Sequence, residues 1–253
     1  MKIDLNSDLG EGYGRYQVAD DMAMLNVVTS ANVACGFHGG DPFIMDRVTR
    51  VCAEKNIAVG AHPGFMDLWG FGRRAFTHFN RDELTAMITY QFGALAAMAK
   101  QNGTEITHFK AHGALGNLAA EDEMVSEAII QSVLKVDPDV IFLIPPFCIT
   151  EQMAVQAGLR VAREIFADRA YSDSGYLLSR KCEGAVIHDS REAIRRTLQS
   201  ISTGTITTVS GNVLHTPIDS VCIHSDTTGA VEIATALRKA IVQAGIQIER
   251  LQK

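Results

Sequence analysis

The sequence predicts a distorted, TIM-like parallel β/α barrel of seven strands with a small β-hairpin insertion, as one domain over residues 1–253. Three observations predict it. Short apolar or β-branched runs alternate about seven times with stretches at helical spacing, which implies a parallel sheet joined by right-handed crossovers. Nearly every run ends in an acid or an imidazole beside a glycine, as strands do when they open onto one barrel mouth. The chain, 253 residues at 47% hydrophobic content, is long enough to bury such a core. An open doubly wound sheet would instead gather its polar residues at one switch point.

The first strand runs from Lys2 to Asp8 and gives way to the glycine-rich loop Gly10-Glu11-Gly12-Tyr13-Gly14. Val27 to Cys35 is the second strand. Asp41-Pro42 then supplies an N-cap and a first-turn proline to a helix with Ile44, Met45, Val48, Val51 and Cys52 on one face. Ala58 to His62 is the third strand and opens into PGFMDLWGFGRRAF, ahead of a long helix from Arg81 to Lys100. Ile106 to His112, Val140 to Ile144 and Arg160 to Ala167 are the next three strands, with a helix near 121–134 and a short one over Thr150 to Ala157 between them. The run at 140–144 is apolar throughout, as in strands covered on both faces. Asp189 with Glu192 predicts a capping box for the following helix. Thr205–Val209 and Val213–Thr216 flank a glycine turn and form the hairpin, Ser220 to His224 closes the barrel, and Thr228 to Ala244 is the last helix.

A net charge of −6 without a basic cluster leaves no electrostatic footprint for nucleic acid. Acids at Asp4 and Asp8 interrupt the N-terminus, so neither a signal core nor a membrane span is expected, and the protein reads as cytoplasmic. Five scattered cysteines without a C-x-x-C pair argue against a disulfide framework and against a thiolate zinc site.

Four of the eight histidines, His38, His62, His112 and His224, fall at strand exits. Singly, each is explained as well by structure as by function. Jointly they point to metal ligation or to acid–base work near neutral pH. Asp8 joins them as a ligand, a base or the partner of an imidazole, and Asp226 stands two residues after His224. Lys110 shares a strand face with His112, where a cation can polarise a carbonyl or bind phosphate. Arg73 and Arg74, beside two glycines, suggest an anion clamp, with Glu11 and Asp168 as further substrate contacts. His78, His108, His188 and His215 receive no role, and Cys35 reads as an inert buried thiol. If a metal binds, Asp8, His38 and His62 are its expected ligands; since no H-x-H or H-E-x-x-H spacing pre-assembles a pair, a tightly bound transition metal is not expected.

The segments DLNSDLGEGYG, SANVACGFHGGDP, VGAHPGFMDLWGFGRR, FKAHGALGN, FADRAYSDSGYLLSR and CIHSDTTGA, in that order, resemble the LamB/YcsF family, the A subunits of prokaryotic 5-oxoprolinases. The resemblance implies a barrel of the glycoside hydrolase/deacetylase type. It also implies ATP-dependent hydrolysis of the 5-oxo-L-proline lactam to L-glutamate, with magnesium nucleotide and separate B and C subunits; a homo-oligomer is compatible with it. The chain departs from the family's usual residues at Ser7, Gly39, Phe65, Met66, Ala111, Gly116, Ser225 and Thr228. Gly116 and Ser225 lie near the expected pocket, which leaves the natural lactam open. Two other readings remain: a stand-alone metal-dependent deacetylase or amidohydrolase on another cyclic amide, and a non-catalytic metabolite-binding subunit.

Overall fold

In the computed structural model, which describes residues 1–253, seven parallel strands close on themselves. They are β1 (Lys2–Leu9), β2 (Ser30–Ala34), β3 (Ala58–His62), β4 (Ile106–Phe109), β5 (Ile141–Ile144), β6 (Arg160–Phe166) and, after the hairpin β7 (Thr205–Thr207) and β8 (Val213–His215), β9 (Ser220–Cys222), which pairs with β6 and β1. A two-residue strand, β10 (Gln247–Ile248), adds to the start of β1. The expected barrel and its antiparallel hairpin are both present.

Eight helices accompany the strands: α1 (Asp21–Met24), α2 (Pro42–Lys55), α3 (Arg81–Gln101), α4 (Gly113–Ala119), α5 (Glu123–Val136), α6 (Ile149–Gln156), α7 (Ser190–Thr203) and α8 (Ala230–Gln243). Asp41 caps α2 by accepting from the backbone N–H groups of Phe43 and Ile44, and Pro42 occupies the first turn. The inward faces of the long helices, such as Leu84, Ile88, Phe92 and Leu95 of α3, pack on the outer face of the sheet in one cluster of 51 buried apolar residues. At about 25 cal/mol per Å² of apolar surface this layer is the main stabilising term. No helix is long and apolar enough to cross a membrane.

The structure differs from the sequence reading in several places. Strand β2 begins at Ser30 and not at Val27, because Val27 and Val28 continue the turn after α1 through backbone bonds to Met24. Strands β4 and β9 stop at Phe109 and Cys222, so Lys110, His112 and His224 stand just beyond the ladder. Helix α4, hidden by Gly113 and Gly116, starts directly after His112. The capping box is not at Asp189, where Glu192 turns to Arg195 at 2.7 Å. A reciprocal box instead opens α3, with Glu83 N donating to Asn80 Oδ1 at 3.0 Å and Asn80 N to Glu83 Oε2 at 2.9 Å.

Candidate active site

Along β1, side chains alternate: Ile3, Leu5 and Leu9 face the helices, while Asp4, Asn6 and Asp8 face the barrel axis. Ser30 and Asn32 on β2, His108 on β4, Glu164 on β6 and Ser220 on β9 project to the same interior, which is a column of hydrogen-bonded polar groups. Asp4 at its foot accepts from Thr29, Ser30 and Ser220. Asn6 donates to Ser220 at 2.7 Å, and Asn32 donates to Asn6 and Asp8, both at 2.8 Å. His108 Nε2 donates to Asn32 Oδ1 at 2.7 Å and crosses above Gly60, where a Cβ would lie 2.1 Å from that nitrogen. Gly60 is therefore the gap in β3 that admits the His108 ring.

At the top of the column Lys110 Nζ lies 3.1 Å from Asp8, 3.0 Å from Glu164 and 3.2 Å from Cys222 Sγ. Burial opposes the ammonium, but Asp8 and Glu164 outweigh it and hold Lys110 well above its usual range. Burial pushes the Cys222 thiol up as well, so the sulfur is an uncharged, weak acceptor. Burial also acts to raise Asp8, yet Lys110, His62 and His224 hold its carboxylate well below the usual range. Glu164 goes the other way, raised by burial and by the charge of Asp8 against the pull of Lys110, and its Oε1 has no hydrogen-bond partner. One cation thus serves two carboxylates unequally.

Above Asp8, three imidazoles gather around Glu11. His62 Nε2 is 3.5 Å from Asp8 Oδ2; Glu11 Oε1 is 3.1 Å from His38 Nε2 and 3.2 Å from His112 Nδ1. Burial would raise Glu11, but His112 and His38 hold it far below the usual carboxylate range. His38 is lowered to about 3, by burial and then by His112, and is a neutral ring at physiological pH. The loop after β3 fixes the cluster: Phe71, at a positive φ of 55°, accepts from His112 Nε2 at 2.8 Å through its carbonyl. Gly72, at φ 62°, brings its backbone so close that a Cβ would sit 2.7 Å from His38 Cβ and 2.8 Å from His112 Cδ2.

The rim is ionic. Arg73 Nη2 lies 2.6 Å from Asp226 Oδ2, with its guanidinium 4.9 Å above the Phe71 ring. His224 Nδ1 is 2.9 Å from Asp168 Oδ1, and the imidazole overcomes burial to keep Asp168 below its usual range. Asp8, Cys222 and His224 have ligand-type atoms within 4.8 Å of one another, as do Glu11, His38, His62 and His112.

Asp8, Glu11, His38, His62, Lys110 and His112 therefore form one chain of contacts, with His224 within 4.8 Å of Asp8 and with Asp168, Asp226 and Arg73 at its edge. The two arginines do not act as a pair, because Arg74 turns to the buried carboxylate of Asp67. Lys110 is enclosed by acids and presents no free charge to an anion. Ser225 donates to the Asp8 carbonyl at 2.5 Å and Ser7 to the Ile223 carbonyl at 2.6 Å, so both tie β1 to the segment after β9. Cys35 is buried and pushed up to about 12 by desolvation, in keeping with an inert thiol. Glu164, Asn32 and His108 were missed by sequence reasoning. Their signal was the period-two polar alternation Asp4-x-Asn6-x-Asp8, Ser30-x-Asn32 and His108-x-Lys110 within otherwise apolar strands.

The LamB/YcsF family model matches residues 3–253. The 5-oxoprolinase A subunit of Rhodopseudomonas palustris (strain BisB5) is 46% identical over 248 residues, 98% of each chain. Its counterpart in Gluconobacter oxydans (strain 621H) is 47% identical over 249 residues, again 98% of each. Among solved structures, a lactam utilization protein from Thermus thermophilus superposes with a TM-score of 0.93 at 41% identity, covering 98% of this chain and 99% of its own. The match is unbroken and carries the contact chain from Asp8 to Asp226 within it: this chain belongs to the LamB/YcsF family.

Proposed function

We propose that this chain is the component of an ATP-dependent 5-oxoprolinase that opens the lactam ring of 5-oxo-L-proline to L-glutamate, working with B and C subunits. The observation that supports it best is the buried run Asp8–His62–His112–Glu11 at the barrel mouth, in a chain 46–47% identical along nearly its whole length to relatives named as 5-oxoprolinase A subunits.

A five-membered lactam is a resonance-stabilised amide, and magnesium ATP would supply a phosphoryl group to its carbonyl oxygen, which makes the ring carbon electrophilic toward water. The sequence contains no G-x-x-x-x-G-K-[ST] phosphate cradle, so nucleotide binding is assigned to the assembled complex. What this chain contributes is proton handling in a buried site. Asp8, kept ionised by Lys110, is the base nearest His62. Asp8 takes a proton from the water that adds to the ring carbon and returns one to the ring nitrogen as the C–N bond breaks, leaving an acyl phosphate that a second water hydrolyses to L-glutamate and phosphate. Arg73, partly exposed at the rim, holds the substrate carboxylate by exchanging it for Asp226.

The test is co-expression with B and C subunits and assay of glutamate release from 5-oxoproline. The complex should require ATP, the chain alone should be inactive, and Asp8→Asn or His62→Asn should abolish turnover with assembly intact. ATP-dependent glutamate release by this chain alone, or full activity of the Asp8→Asn complex, would overturn the assignment.

A further inference from the structure

His62 and His112 meet edge to face, their rings at 89°, with His62 Nε2 and His112 Nδ1 3.0 Å apart. The far nitrogen of each ring lies 2.8 Å from a backbone carbonyl: Lys110 O for His62 Nδ1, Phe71 O for His112 Nε2. A carbonyl only accepts, so both far nitrogens carry hydrogen. In neutral rings the two near nitrogens are then both lone pairs. Buried at hydrogen-bond distance, they repel unless a cation joins them.

A third donor is at hand. Glu11 Oε1 is 3.2 Å from His112 Nδ1 and 4.0 Å from His62 Nε2. Ligands bound at about 2.0–2.2 Å to a tetrahedral zinc-type ion stand roughly 3.4 Å apart, and these three separations bracket that figure. We infer that Glu11, His62 and His112 form a three-ligand site for a divalent transition-metal ion of the zinc class, with a fourth coordination position left for water or substrate.

His38 is not the fourth ligand, although it touches the same carboxylate. Its ring is parallel to that of His112 within 3° and stacked at 3.6 Å between centroids. A nitrogen lone pair lies in its ring plane, so two stacked imidazoles cannot both aim at one ion. His38 instead donates from Nε2 to Glu11 Oε1 at 3.1 Å and orients the carboxylate. Asp8 is also outside the set: its Oδ2 lies 3.5 Å from His62 Nε2, but the group of ligand atoms within 4.8 Å of one another that holds both His62 and His112 takes its carboxylate from Glu11 and does not include Asp8. The ligands thus differ from the Asp8, His38 and His62 set expected from the sequence.

Two features favour a metal ion over a single shared proton. Three donor atoms, one from each residue, converge on one point, more than a proton shared between two nitrogens engages. A backbone carbonyl behind each ring is the outer-shell support that metal-ligating histidines commonly have. Such an ion activates water or polarises a carbonyl, and its binding is independent of which ring the site opens.

The experiment titrates chelator-treated, full-length protein with Zn2+, and with Co2+ as a visible-absorption probe, reading stoichiometry by calorimetry and by elemental analysis after gel filtration. Wild type should bind one ion per chain, with Co2+ bands of a four- or five-coordinate site. Glu11→Gln, close to isosteric, and His112→Asn should lose stoichiometric binding. His38→Asn should keep it with affinity lowered about 10–100-fold, and Asp8→Asn should keep it. A circular-dichroism melt of each metal-free variant certifies folding, and Glu11→Gln carries the test should His112→Asn not fold. No stoichiometric ion in wild type, or loss of binding in Asp8→Asn with retention in Glu11→Gln, would overturn the site. Binding is read without turnover, so its failure and that of the lactam reading are distinguishable.

Discussion

Lys110 Nζ and Glu164 Oε2 meet at 3.0 Å inside the barrel, with Asp8 3.1 Å from the same ammonium. The pair explains why a lysine is buried on a strand exit: it neutralises the floor on which Asp8 must stay ionised. Removing one partner of a buried ion pair costs about 3–5 kcal/mol, because the other charge is left uncompensated. Lys110→Met should therefore destabilise the protein by about that amount and abolish turnover. Adding Glu164→Gln removes the second charge and should recover part of the stability and none of the activity. Denaturant unfolding of the two single variants and the double variant gives the coupling; additivity of the two would argue that they do not interact.

Gly60 is a packing prediction. A Cβ there would lie 2.1–2.6 Å from three ring atoms of His108, which is fully buried and bonded to Asn32. Overpacking of this kind costs about 1–3 kcal/mol, and more where the neighbour cannot yield. Gly60→Ala should fall in the upper part of that range, about 2 kcal/mol or more in urea unfolding. His108→Ala in the same background should restore much of the loss, since it removes the obstructing ring.

Asp4 sets a pH dependence. Burial raises its pKa from 3.8 to about 6 despite hydrogen bonds from Ser220, Ser30 and Thr29. The sign follows from proton counting: between these two values the folded state holds a proton that the unfolded state has released. This contribution to stability is thus fully present below pH 4 and is lost as pH rises through about 6. At 1.36 kcal/mol per pKa unit the loss is about 3 kcal/mol. Asp4→Asn has no such proton, so the stability of the variant relative to wild type should rise by about that amount from pH 4 to pH 7. Unfolding curves at several pH values check this, and parallel profiles would refute it.

The two rim arginines should separate kinetically. Arg73, facing Asp226 beside the site, is expected to govern substrate capture, so Arg73→Ala should raise KM about 10-fold or more with a smaller change in kcat. Arg74 is spent on Asp67 and should leave KM nearly unchanged when replaced by alanine, acting instead through the order of its loop. Steady-state assays of the assembled complex decide it; equal effects on KM would restore the clamp that the sequence suggested.

The extent to which the site was legible follows from how each residue is placed. His62 closes a short apolar run, and Asp8, His38, His112 and His224 end similar runs, so local pattern placed them at strand exits. Asn32, His108 and Glu164 obey the same alternation but sit mid-strand, where apolar residues usually fill a barrel, and their polarity read as incidental. Only closure of β9 onto β1 shows that these positions face one another.

The sequence by itself determined the order of the seven barrel strands, the hairpin, six of the eight helices and the family, because periodicity and motif order are properties of contiguous residues. Tertiary structure alone decided partnership. It gave Glu11 to three imidazoles, bound Arg74 to Asp67 instead of leaving it beside Arg73, and turned His62 and His112 so that a ring nitrogen of each faces the other. Contacts around the site join residues as far as 217 positions apart, as between Ser225 and Asp8. They depend on strand register, on the space left at Gly60 and Gly72, and on which backbone carbonyl meets which ring nitrogen. No local pattern encodes these, because each is set by the packing of distant segments against one another.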